Sequence, residues 1–419
     1  MNSVQFSATL DILSSALGFT APVDGIVSRH FRDHPELGAN DRNVIAETVF
    51  GILRHLPQLE WITEGNASTR ELMLAWFVGV KRMNLRELPA AFHDKDKERA
   101  GAMKARVIKD APLAIRAALP EWVGDALLAA GRDEAFILAL GQSLLQSAAL
   151  DIRVNTLKMK RESVSAELAR HNMPHAPTPY SPWGLRLEGK PAVNRLTFFK
   201  EGVFEVQDEG SQLLALLTGA KRGQMVADFC AGAGGKTLAL GAMMNSTGRL
   251  YAFDVSEKRL NNLKPRLKRS GLSNVHPQLI ASEHDQKIKR LAGKFDAVLV
   301  DAPCSGMGTA RRNPDLKARQ SPGSVAELNA KQGSILASAA RLVKTGGRLV
   351  YATCSFLPAE NDGIVAAFLA EHPDFEVLDA GQVLADAKVS LELEGPYLQL
   401  WPQTHQTDAF FAAVLQRKS

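Results

Sequence analysis

The sequence predicts an α/β chain whose carboxyl-terminal half is a doubly wound parallel sheet, preceded by a small α+β segment and an all-helical segment. Three observations predict it. Apolar residues recur at helical spacing up to about residue 150, strand-like runs punctuated by Pro and Gly follow, and from Met225 apolar strand runs alternate with helical patterns. With 419 residues, 45% hydrophobic and 23% charged, the chain can bury a sizeable core. At about 150 residues per domain that length suggests two to three domains, here 1–145, 146–220 and 221–419.

Leu10, Ile12, Leu13 and Leu17, then Val44, Ile45, Val49, Ile52, Leu53 and Leu56, keep the period of amphipathic helices facing one core. Asn40 before Asp41 is the expected N-cap of the second of these, and Pro120 the expected start of another in EWVGDALLAAG. The run from His93 to Asp110 alternates charge signs and is expected as a surface excursion, a solvated loop or helix face. From Asp151 the runs IRVNTL, GLRLEG and FEVQDEG read as strands, with breaks at Pro174, Pro177, Pro182 and Pro191. Basic residues from Arg153 to Lys200 thread this segment; they open the option of an RNA-facing surface without requiring it.

Further on, MVADF, RLYAF, FDAVLVD and GRLVYA are buried-strand-like. Helical patterns around LALGAMM, Glu257–Arg269, Val325–Leu342 and Asp362–Leu369 separate most of them, and TDAFFAAVL reads as one more strand. Composition narrows the class. Lys and Arg number 50 against 45 Asp and Glu, and the resulting +5 and pI near 9.0 are compatible with nucleic acid but do not select it. No apolar run approaches the roughly 20 residues of a membrane helix, and MNSVQFSATLDILSS lacks a basic n-region, so a soluble, cytoplasmic chain is expected. Cys230, Cys304 and Cys354 form no CxxC pair and no disulfide framework; free thiols and no metal are expected.

The first parallel strand ends at Asp228 and runs into CAGAGGKT, Cys230 to Thr237, ahead of a helix. Glycines there let backbone N–H groups and a helix N-terminus approach a ligand. A P-loop would need Gly where Cys230 stands, and a GxGxxG fingerprint would need Gly where Thr237 stands. The second strand ends at Asp254, one βαβ unit on, where a carboxylate can accept from ribose hydroxyls. Together these describe a nucleoside-bearing cofactor at the carboxyl edge of the sheet.

Two further strands end in Asp301-Ala302-Pro303-Cys304 and in Thr353-Cys354-Ser355, so both cysteines leave the edge where open α/β sheets bind ligands. A free cysteine is most often a small buried apolar residue, but two in such turns are not explained that way. Two thiols and a carboxylate fit methylation at carbon 5 of a pyrimidine. That carbon becomes nucleophilic only after a thiolate adds to carbon 6 while N3 is hydrogen-bonded or protonated. One cysteine attacks, the other assists release, and an aspartate at its strand's head serves N3 and the exocyclic amine, best if burial raises its pKa.

The order EVQDEGSQ, DFCAGAGGKT, FDVSEKRL, DAPCSGMGTARRNPD, GGRLVYATCSFLPAEND and TDAFF resembles the Sun/Fmu/Nop-type RNA cytosine-5 methyltransferases. The resemblance implies S-adenosyl-L-methionine as methyl donor, a doubly wound methyltransferase fold and a flipped-out cytosine in RNA as substrate. It implies Cys354 as nucleophile, Cys304 as the cysteine that helps release product, and Asp301 as the carboxylate beside both base and cofactor. Cys230, Ala231, Gly232, Ala233, Gly234, Gly235 and Lys236 would hold the methionine end and Asp254 the ribose; Arg311 and Arg312 would meet phosphates near the target. DNA cytosine-5 methyltransferases attack with the Pro-Cys cysteine, whereas this family uses the Thr-Cys one and keeps both, so retention of both favours RNA. LGANDRNVIAETVFGILRHLPQLEWI resembles the NusB-like, RNA-binding helical domain of the small-subunit ribosomal RNA branch, which implies 16S ribosomal RNA as partner; a monomer is expected. The resemblance is patchy from about Val78 to Ala111.

Within the catalytic motifs, Gly232-Ala233 stands where many members have Ala-Pro, and Ala409 where Gly is usual. Ser282, with Glu283 and Asp285 nearby, holds the place of an aspartate expected near the adenine, which predicts weakened cofactor binding. Three rivals remain: 23S ribosomal or transfer RNA as substrate, a non-catalytic RNA-binding assembly factor, and a phosphotransferase that uses GGKT as a phosphate loop.

Overall fold

The computed structural model describes residues 1–65, 67–106 and 108–419; Val107, inside the charged run from His93, is outside the described residues, as is Asn66. The chain divides into two units, 1–147 with 309–323, and 148–308 with 324–419.

The first unit is helical. Helices Ser3–Ala16 and Ala39–Arg54 bury Ile12, Leu13, Ile45, Val49, Ile52 and Leu53, the residues whose spacing predicts them. The second starts one residue before Asn40. Gly38 is its N-cap and donates its N–H to the Asp41 carboxylate at 3.1 Å, so Asn40 is not the cap and Asp41 serves the helix from its first turn. The charged run is a helix face: helix Asp94–Ala105 buries Ala100 and Met103 in the core, and Arg70 binds Asp96 at 2.9 Å. Its charges are the wet face of an amphipathic helix. Pro120 precedes helix Glu121–Ala129 as expected.

Residues 309–323 fold with these helices rather than with the strands on either side in sequence. Lys317, buried, donates to the carbonyls of Arg54 at 2.6 Å and Ala118 at 2.8 Å, and Arg54 Nε donates to the Arg311 carbonyl at 2.9 Å. An ammonium thus satisfies the orphan carbonyl ending helix Ala39–Arg54. Burial, with the Arg54 charge beside it, pulls the Lys317 pKa down to about 7.

The second unit opens with a four-stranded antiparallel sheet of order β2-β3-β1-β4, where β1 is Leu150–Val154, β2 His175–Pro177, β3 Gly184–Leu187 and β4 Phe204–Val206. Of FEVQDEG only the first part is strand; the Asp208 carboxylate then accepts Gly210 N–H at 2.8 Å and starts helix Glu209–Leu217. There follow β5 (Met225–Asp228), β6 (Arg249–Asp254), β7 (Val275–Leu279), β8 (Phe295–Asp301), β9 (Val343–Thr353), β10 (Phe375–Leu378), β11 (Leu398–Leu400) and β12 (Phe410–Arg417). They form one eight-stranded sheet of order β10-β12-β9-β8-β5-β6-β7, with β11 on β12. Pairs from β9 to β7 are parallel, whereas β12 runs antiparallel to β9, so the sheet is mixed rather than wholly parallel. Helices Gly235–Met243, Glu257–Ser270, Pro322–Ala340 and Asp362–Glu371 fall where the sequence predicts them. The order reverses at β5, which opens a crevice beside its carboxyl end and those of β6 and β8. Among the described residues no helix is long and apolar enough to cross a membrane, and no group of three or more His, Cys, Asp or Glu is placed to hold a metal.

Candidate active site

A cavity of about 660 Å³ lies at those strand ends, lined by Cys230, Gly232, Asp254, Val255, Ile280, Ser282, Glu283 and, across from them, Asp301, Pro303, Cys304 and Cys354 among others. Of the cofactor residues expected from sequence, Cys230, Gly232, Asp254, Ser282 and Asp301 line it; Ala231, Ala233, Gly234, Gly235 and Lys236 do not.

At one end the glycine loop turns from β5 into helix Gly235–Met243. Gly232 and Gly234 take φ of +56° and +86°, and a Cβ on Gly234 would run into Leu263. The Asp254 carboxylate, buried at the end of β6, accepts Gly232 N–H at 2.8 Å and Ser256 N–H at 2.7 Å. It anchors the loop as well as facing the cavity. Val255, 53% exposed, and Ile280 supply apolar walls. A carboxylate beside an exposed apolar side chain in a cavity of this size fits an adenosyl group. Ser282 lines the wall, but so does Glu283, whose Oε1 accepts from Ser334 at 2.6 Å, while Asp285 caps helix Gln286–Arg290. This wall keeps a carboxylate, one residue on from the serine.

The other end holds the thiols. Cys304 and Cys354 Sγ atoms are 3.3 Å apart, which brings together turns 50 residues apart in sequence. The Cys354 contact, and then burial, push the Cys304 thiol well above the usual range; burial does the same to Cys230. Gly308 N–H donates to the Cys354 carbonyl at 2.9 Å, and a Cβ on Gly308 would strike the Ala409 carbonyl, so the two turns and the last strand meet where no side chain fits.

Asp301 Oδ2 accepts from Lys236 Nζ at 2.6 Å. Burial alone would lower the Lys236 pKa, but the Asp301 carboxylate more than offsets it and holds the ammonium above its ordinary range. The lysine expected to hold the cofactor is therefore committed to the Asp301 carboxylate. Burial pushes the pKa of Asp228, on the neighbouring strand, up to about 7 although Thr237 Oγ1 donates to it at 2.7 Å.

Sequence reasoning missed the residues that hold the thiol turns. The fully buried Glu360 accepts Ser305 N–H at 2.7 Å and Ser305 Oγ at 2.6 Å, and Gln332 Nε2 donates to it and to the Pro303 carbonyl, each at 3.0 Å. Asn361 accepts from Thr353 Oγ1 at 2.6 Å and donates to the Ser355 carbonyl at 3.1 Å. The signal available was the polar PAEND after an apolar strand and turn. Of the two arginines expected at phosphates, Arg311 is buried, with its carbonyl on Arg54, and is withdrawn from that role; Arg312 is half-buried. On helix Glu257–Ser270, Arg266 and Arg269 both bind Glu205.

A mixed sheet with this order, a nucleoside cavity at its switch point and two thiols beside it define the class: an α/β methyltransferase dependent on S-adenosylmethionine. Residues 215–416 match the family model for the 16S rRNA methyltransferase RsmB/F, and 119–194 that for the RsmF/B-like ferredoxin-like domain. Ribosomal RNA small subunit methyltransferase B of Sodalis glossinidius is 32% identical over 410 residues, 91% of each chain. A probable counterpart from Synechocystis is 36% identical over 274 residues, 65% of this chain and 61% of that one. The crystal structure of PH0851 superposes with a TM-score of 0.80 at 25% identity, covering 98% of each chain. The chain belongs to the RsmB/F family of rRNA methyltransferases.

Proposed function

We propose that this protein forms 5-methylcytosine in 16S ribosomal RNA through a covalent adduct between Cys354 and carbon 6 of the base. The observation that carries the chemistry is the 3.3 Å approach of Cys304 and Cys354 beside the Asp301–Lys236 pair; the relatives named above support the RNA. S-adenosylmethionine, when bound, supplies an electrophilic methyl group. The Cys354 thiolate adds to carbon 6, and Asp301 relays to N3 the proton that Lys236 supplies, so that carbon 5 receives the electron pair. Once carbon 5 is methylated, its proton must leave, the C6–S bond must break, and the N3 proton must return through Asp301 to Lys236. Cys304, a neutral thiol beside that bond, gives its proton to the departing Cys354 sulfur, and the Cys304 thiolate so formed takes the proton from carbon 5. Arg312 meets a phosphate near the target, and the helical unit contributes RNA contacts of the NusB-like kind.

The test uses unmodified 16S transcript, labelled S-adenosylmethionine and bisulfite mapping. One labelled cytosine is expected; Cys354→Ala removes label and adduct together, and Cys304→Ala accumulates a stable protein–RNA adduct. Label on another base, or methylation by Cys354→Ala, overturns the proposal.

A further inference from the structure

Carbonyls of the glycine loop are gripped by side chains that take no part in lining the cavity. Arg266 Nη1 donates to the Ala233 carbonyl at 2.6 Å, and Arg153 Nη2 reaches the Gly235 carbonyl at 3.5 Å. Both guanidiniums are tied to the small sheet. Arg153 stands on β1, directly across the ladder from Glu205 on β4, and is 2% exposed, with its Nε on Gln207 Oε1 at 2.6 Å. Burial lowers its pKa only to about 10, so it stays charged at neutral pH. The buried Glu205 takes Arg266 on Oε2 at 2.9 Å and Arg269 on Oε1 at 2.7 Å.

Two charges at one register of the small sheet therefore reach the loop, one directly and one through Arg266. The loop needs such a brace. Gly232, Gly234 and Gly235 leave it with high backbone entropy, and Ala233 lacks the fixed φ a proline would give. A loop that must be ordered before it can bind loses that ordering free energy from its affinity, and a loop already held does not.

We infer that Arg153, held by Gln207, and Arg266, oriented through Glu205, are positioning residues that preset the glycine loop for the cofactor, making the small sheet part of the cofactor site. The inference rests on the cavity binding S-adenosylmethionine. Calorimetry of the full chain with S-adenosylmethionine tests it. Arg266→Met is expected to raise the dissociation constant about tenfold and to speed amide exchange at residues 231–236, while Arg266→Lys, which keeps a cation near the Ala233 carbonyl, recovers part of the affinity. Glu205→Gln, which leaves Arg266 undirected, is expected to cost about threefold. An unchanged dissociation constant in a folded Arg266→Met overturns the inference. If that variant does not fold, Glu205→Gln decides: weaker binding upholds the inference and unchanged binding overturns it. Failure of the unsubstituted chain to bind is a different result, because it removes the cofactor reading itself.

Discussion

The two ends of the cavity are built on different principles. The cofactor end is made of main chain: glycines with left-handed φ, and a carboxylate that collects backbone N–H groups from its own turn and the loop beside it. The thiol end is made of side chains from separate segments, with Glu360, Gln332 and Asn361 lashing the Pro-Cys and Thr-Cys turns together in a fully buried network. A main-chain site tolerates change at many side chains. A buried side-chain network fails when one member is left unsatisfied.

Substitutions rank the two ends. Loss of the proposed nucleophile in Cys354→Ala is expected to lower methylation more than about 1000-fold with little change in cofactor affinity, read as kcat against the calorimetric dissociation constant. Glu360→Gln puts a donor where Ser305 now donates, and should lower kcat about 10- to 100-fold through misplaced sulfurs, again leaving cofactor affinity alone. Asp254→Asn does the reverse. It keeps one acceptor, weakens cofactor binding about tenfold, and affects kcat little at saturation. If Glu360→Gln weakened cofactor binding as much as Asp254→Asn, the two ends would not be separable.

The last expected effect is on stability and leaves the comparison of the two ends untouched. Asp228 is buried with Oδ1 lacking a hydrogen-bond partner among the described residues, and its pKa is raised from 3.8 to about 7. A raised carboxyl favours the fold when protonated, so its contribution is fully present below about pH 4 and is lost as pH rises through about 7. Across that window wild-type stability should fall relative to Asp228→Asn by at most about 1.4 kcal/mol per pH unit, measured by urea unfolding at several pH values. Parallel curves for the two proteins would show that Asp228 is charged throughout.

Strand runs, the helices between them, the glycine loop and both cysteine turns were legible because each is local. A period of 2 or 3.6, a breaker, or a carboxylate at a strand end lies within one short window of sequence. Asp301 and Asp254 could be assigned to one edge for the same reason, since parallel strands share a carboxyl edge. Asn40 was misread as a cap because a side chain at the third helical position can do the capping from inside. Of the two forms open for the charged run from His93, loop or helix face, the sequence could not choose, because its buried pair, Ala100 and Met103, is small among many charges.

The sequence alone thus determined the fold class and set the glycine loop and both cysteine turns at one edge of the sheet, each of which reports its place through its neighbours in the chain. Tertiary structure alone decided that Lys236 belongs to Asp301, that Arg311 is buried, that 309–323 folds with the helices, and that Glu360 and Arg266 hold the turns around the cavity. These pairings join residues about 30 to 260 positions apart. Burial chooses them when elements meet, because a charge or polar group removed from water must find a partner wherever one lies.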